Sequence, residues 1–130
     1  MKKMIIFDSN AVLRYILQDN LEMADLAEKQ ILENDCFIPT EVIAEMVYVL
    51  SKVYKIPRQD IRAAITGVLN ISSISTTHYD VSTNGLECFA ETNLDFVDCL
   101  MAGYNNGGYE VFTFDKDLKK YLSKLSWNNG

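Results

Sequence analysis

The apolar runs of this chain are short, and two of them stop on an aspartate. Lys3–Phe7 ends at Asp8, and Glu110–Phe114 ends at Asp115. Brief runs of this kind fit strands buried on both faces, whereas a buried helix needs about 10–12 residues. Cys36–Ile38 is another such run, closed by Pro39, and Ile71–Ser75 is a weaker, Ser-rich one. Segments of helical period separate these runs. Strands alternating with helices predict an α/β fold with a mostly parallel sheet of four to five short strands, covered on both faces. In such folds ligands bind at the carboxyl ends of the strands, where Asp8 and Asp115 both fall.

The intervening helices carry their own signals. Ala11, Leu13, Tyr15, Ile16 and Leu17 continue from Asp8-Ser9, either of which is a suitable cap. Met23, Leu26, Ala27, Ile31 and Leu32 recur at helical spacing between Asn20 and Glu33. Thr40–Tyr54 reads as a strong helix, and Pro57 opens another that runs to Leu69. Tyr79–Glu91 is predicted helical although Gly85 costs up to about 1 kcal/mol relative to Ala. Asp95–Asn105 is a further helix, stopped by Asn106-Gly107-Gly108, and Asp115–Leu122 a short last one. Residues 1–125 are expected to form one domain and residues 126–130 a tail.

Composition narrows the class. A chain of 130 residues with 48% apolar content has enough material for one core without metal or disulfide staples. Cys36, Cys88 and Cys99 show no paired spacing, which predicts reduced, partly buried thiols in a cytoplasmic protein. Met4–Phe7 is too short for the apolar region of a signal peptide, and no run approaches the roughly 20 residues that span a bilayer. The net charge of −6 argues against a general nucleic-acid coat. It does not exclude a nuclease, since carboxylates that hold divalent cations are neutralised in the working site.

Four acids interrupt apolar patterns: Asp8, Glu45, Asp98 and Asp115. Burying a carboxylate is costly unless it is paired or bound to a metal, and hard cations such as Mg²⁺ or Mn²⁺ favour oxygen ligands. Singly, Asp8, Asp95 and Asp115 are equally well read as helix caps, and Glu45 as a solvated or paired residue at the edge of its helix's apolar stripe. Their joint placement favours a cation site. His78 has no partner pattern and reads as structural or exposed. Lys116, Lys119, Lys120 and Lys124 cluster beside the last acids, either as phosphate contacts or as a solvated helix face.

Four blocks then resemble a known family: Phe7-Asp8-Ser9-Asn10, Pro39–Glu45 (PTEVIAE), Ala90–Leu100 (AETNLDFVDCL) and Val111–Asp117 (VFTFDKD). In order and approximate spacing they are similar to the signature blocks of PIN domains, nearest to the VapC-type toxins of prokaryotic toxin–antitoxin pairs. The resemblance implies a three-layer α/β/α sandwich and cleavage of RNA phosphodiester bonds dependent on Mg²⁺ or Mn²⁺. It places the family's conserved acids on Asp8, Glu45, Asp98 and Asp115, an accessory acid on Asp117, and supporting residues on Asn10, Thr113 and Asp95. Ser9 stands where the family often has Thr. Arg14 matches a common residue that braces the helix or meets a phosphate. An antitoxin that blocks the site is implied, and so is a homodimer, for which Tyr15, Met46 and Tyr54 are candidate contacts if exposed and core residues otherwise. The alternatives are a haloacid-dehalogenase-like phosphatase, disfavoured because Asn10 replaces the second acid of its Asp-x-Asp, and a non-catalytic α/β binding module.

Overall fold

The computed structural model describes residues 2–129, with side chains through residue 125. The expected tail, residues 126–130, lies outside the residues whose side chains are described. Contacts group the chain into two compact units, residues 1–79 and 80–130.

The first unit holds β1 (Met4–Ile6), α1 (Ser9–Leu17), α2 (Leu21–Glu33), β2 (Asp35–Ile38), α3 (Thr40–Lys52), α4 (Arg58–Leu69) and β3 (Ile74–Thr76). Its strands lie in the order β1-β2-β3, all parallel, with Ile6 opposite Phe37 and Ile38 opposite Thr76. The Phe7 N–H donates to the Phe37 carbonyl at 3.0 Å, carrying the pairing one residue beyond β1 and fixing the backbone just before Asp8. Caps set the helix starts. The Asp8 carboxylate accepts from the Ala11 N–H at 2.9 Å, and the Asn20 side chain from the Met23 N–H at 3.0 Å. At α3 and α4 the cap position is Pro39 and Pro57, whose φ of −60° and −59° leads the chain into the first turn without a side-chain bond. Ile43, Met46, Val47 and Leu50 of α3 and Ile61 and Ile65 of α4 form the core with Cys36 and Ile38 of β2. Met46 is therefore a core residue, not the exposed dimer contact that was considered for it.

The second unit is helical: α5 (Tyr79–Glu91, its first residue being the last of the preceding unit), α6 (Phe96–Asn106) and α7 (Lys116–Asn129). Here Gly85 is explained. A Cβ on Gly103 would stand 2.5 Å from the Val81 carbonyl oxygen, and one on Gly85 would stand 3.1 Å from the Leu100 side chain. α5 and α6 approach closely because both positions lack a side chain, and the packing gained offsets the propensity lost. Phe89 and Phe96 meet edge to face at 6.0 Å beside that crossing, and Leu118 anchors α7 in the core.

The expected strand Glu110–Phe114 does not form, so the sheet among the described residues has three strands where four to five were expected. Phe112 and Phe114, two apart, share one side of the chain and pack edge to face on each other at 5.3 Å. Their rings stay exposed, at 87% and 82%. A strand exists only in its ladder, and a local pattern supplies the pleat without supplying the partner.

Candidate carboxylate site

In the first unit, Asp8 sits where the β1 backbone turns into α1. It is exposed, and one of its oxygens is committed to the helix N-terminus, whose dipole favours an anion there. Asn10, also exposed, follows in the first turn, and both line an open groove of about 570 Å³ with Phe7, Ala11, Met23 and Leu26. Arg14 borders the same groove, but its guanidinium is engaged. It donates to both oxygens of Asp19, at 2.8 and 2.7 Å, and to the Tyr54 hydroxyl at 3.1 Å. The hydrogen bond to Tyr54, followed by the charge of Asp19, raises its proton affinity further. Of its two readings, the brace is the one the geometry matches.

Glu45 requires a correction. Its apolar neighbours in sequence suggested a place near the buried stripe, yet it is exposed. Ile43, Met46, Val47 and Leu50 follow the i, i+3, i+4, i+7 pattern of one face, and Glu45 stands on the far side of the helix from them. The richness of Thr40–Tyr54 in apolar residues concealed which face each one takes. The burial argument for Glu45 therefore lapses, leaving its match to the second sequence block.

In the second unit two predicted acids, Asp95 and Asp115, act on a third, Asp98. Asp95 occupies the N-cap position of α6 but makes no capping bond with its side chain, so the cap explanation offered for it does not hold. Asp98 lies one turn on, half-buried. Burial pushes its proton affinity up, and the negative charges of Asp115 and then Asp95 push it further in the same direction. Asp115 caps α7 by accepting from the Leu118 N–H at 2.8 Å, while its own N–H donates to the Thr113 hydroxyl at 3.1 Å. Thr113 thus supports Asp115 through the backbone. Asp117 is exposed in the first turn of α7 and lines a groove of about 390 Å³ with Thr92, Lys120, Tyr121 and Lys124. Lys116, Lys119 and Lys120 are exposed, and the Lys119 ammonium lies 5.9 Å from the centre of the Phe114 ring.

Among the described residues, no three or more His, Cys, Asp or Glu side chains stand together as a ready-made cation cage. The donor chemistry nevertheless fits a hard divalent ion. Asp95, Asp98 and Asp115 offer only oxygen ligands, and Asp98 is destabilised as an anion by charges that a cation would offset.

Thr92 is a supporting residue that the sequence analysis passed over. Its hydroxyl donates to the Cys88 carbonyl at 2.8 Å and accepts from the Leu94 N–H at 3.2 Å, tying the end of α5 to the turn that delivers Asp95. The signal was present, since Thr followed two residues later by a turn into a helix is a common side-chain-to-backbone motif. His78 is exposed, as expected.

Comparison with known proteins agrees with the sequence blocks. A family model described as the PIN domain matches residues 5–122. A VapC ribonuclease of Aquifex aeolicus (strain VF5) is 30% identical over 86 residues, covering 65% of this chain and 64% of that protein's length. No solved structure matches significantly.

Proposed function

The chain belongs to the PIN-domain family, and on that premise we propose that it is an endoribonuclease dependent on Mg²⁺ or Mn²⁺, acting as the toxin of a toxin–antitoxin pair. The observation that carries the reading is the setting of Asp98, a half-buried carboxylate burdened by the charges of Asp115 and Asp95. Asp98 and Asp115 are assigned to hold the cation, with Asp95 and Asp117 supporting them. Asp8 and Glu45, the acids of the first two sequence blocks, are assigned to the same reaction. A bound divalent cation supplies positive charge against a phosphodiester in transit and lowers the pKa of water.

The protein's own groups do the rest. Thr113 fixes the backbone of Asp115, and Thr92 fixes the entry to α6, so that the carboxylates of both helix starts are held without adjustment during the reaction. Lys116, Lys119 and Lys120 follow Asp115 along α7 and offset phosphate charge on the substrate strand. Asn10 is assigned to orient substrate or solvent beside Asp8. The antitoxin is proposed as a protein that covers this acidic surface, which the net charge of −6 makes receptive to a basic segment. Self-association is proposed as well, and gel filtration at the mass of the 14.8 kDa monomer would remove it. No helix of the described residues is long and apolar enough to cross a membrane.

The test is cleavage of total RNA by the purified protein in Mn²⁺, with EDTA and with Asp98→Asn as controls. Cleavage that stops in both controls is the expected result. Cleavage that persists in EDTA, or at full rate in Asp98→Asn, would overturn the assignment.

A further inference from the structure

Cys88 on α5 and Cys99 on α6 are both fully buried, and their sulfurs flank a single hydroxyl. The Thr92 hydroxyl stands 3.9 Å from one sulfur and 4.0 Å from the other. Cys36 offers a contrast within the same chain. It is equally buried, but its sulfur contacts backbone carbonyls, of Gln30 at 3.6 Å and Asn34 at 3.9 Å. Burial pushes the Cys36 thiol up, whereas the hydrogen bond from Cys99 brings Cys88 down. Two buried thiols that share one hydroxyl neighbour take no part in the proposed cleavage.

We propose that Cys88 and Cys99 form a reversible intramolecular disulfide, an oxidation site that ties α5 to the first turn of α6 and so changes the setting of Asp98. The route in is visible, since Thr92, which touches both sulfurs, also lines the 390 Å³ groove that opens beside Asp117. The oxidant is a small peroxide. The Cys88 thiolate attacks the peroxide O–O bond, giving a sulfenic acid at Cys88 and one water. The Cys99 sulfur then displaces the sulfenic oxygen, the S–S bond forms and a second water leaves. Two thiols supply two electrons, and a dithiol reductant returns them.

The consequence follows from the helix crossing. A disulfide needs an S–S bond of about 2.05 Å, so two sulfurs that flank a hydroxyl must move together to form one. At Gly103 the helices have no slack, because even a methyl group there would stand 2.5 Å from the Val81 carbonyl. Closing the sulfurs therefore turns α6 about that crossing rather than drawing it in bodily. The displacement falls on the Cys99 end of α6, which carries Asp95 and Asp98. The effect on cleavage rests on the function proposed above; the cross-link itself does not.

The experiment treats the full-length protein with hydrogen peroxide, then maps peptides by mass under non-reducing conditions and assays RNA cleavage in Mn²⁺. A Cys88–Cys99 linked peptide is expected in the wild type and in Cys36→Ala, lost on adding dithiothreitol and absent from Cys88→Ala. Cleavage should fall about tenfold or more on oxidation and recover on reduction, while Cys88→Ala stays active under peroxide. A map with both thiols free or over-oxidised and no 88–99 link would overturn the proposal. A link with unchanged cleavage would overturn its regulatory half. A link in a protein that never cleaves RNA would uphold the oxidation site and sink the ribonuclease reading instead.

Discussion

The two units of this chain place their acids by different means. In the first, Asp8 is delivered by a parallel ladder, on a backbone pinned by the bond from Phe7 to Phe37, and one of its oxygens is taken by the N-terminus of α1. In the second, Asp98 is delivered by helix packing alone, and its neighbours burden it with negative charge. A strand end exposes a carboxylate and lets a helix dipole steady it. A helix start packed on another helix half-buries the carboxylate and stores electrostatic strain. The first holds its carboxylate with a hydrogen bond, while the charge crowding of the second would be offset by a bound cation.

The largest blow to this comparison falls on the scaffold of the first unit. Met46→Ala, at a position with 0% exposure, should cost about 2–5 kcal/mol in denaturant unfolding, because it leaves a cavity in the core behind β2. A cost near zero would restore Met46 as a surface residue. The tight crossing of the second unit comes next. Gly103→Ala drives a methyl group toward the Val81 carbonyl and should destabilise by about 1–3 kcal/mol. Gly67→Ala, in α4 with open space around it, should instead stabilise by about 0.5–1 kcal/mol. Opposite signs at two helical glycines, read from thermal melts, would confirm that close approach and not helix propensity governs α5 and α6.

The smallest effect tests the strain itself. Asp98 binds its proton more tightly in the folded chain than in the unfolded one. Its contribution to stability is therefore present in acid and is lost as the pH rises through its native pKa. In EDTA, Asp98→Asn should melt above the wild type at pH 7, and the gap should close as the pH is lowered toward about 4, where an ordinary Asp titrates. A gap that widens in acid would mean that Asp98 is stabilised as an anion, which would remove the distinction between the two units.

Much of this was legible beforehand, and the exceptions share a cause. The start of α1 was readable from Asp8, because a cap and the helix it caps are neighbours in sequence. Tyr79–Glu91 was readable from its period despite Gly85, although the reason for that glycine lies on α6. What failed was non-local. Glu110–Phe114 is a short apolar run before an aspartate but finds no ladder among the described residues, and Glu45 has the right company and the wrong face. Tyr54 holds Arg14 from 40 residues away, a distance over which no spacing rule operates. The acids themselves were found through the order of four sequence blocks. The burden that Asp115 places on Asp98 belongs to the packing of α6 against α7 and has no signature in either block alone.

The account turns on whether the Asp98 carboxylate and its neighbours take up a divalent ion. Calorimetric titration of Mn²⁺ into the wild type, Asp98→Asn and Asp115→Asn measures this without reference to any substrate. Binding in the wild type that is lost or weakened at least tenfold in both variants is the predicted result. Equal Mn²⁺ affinity in all three proteins would contradict it.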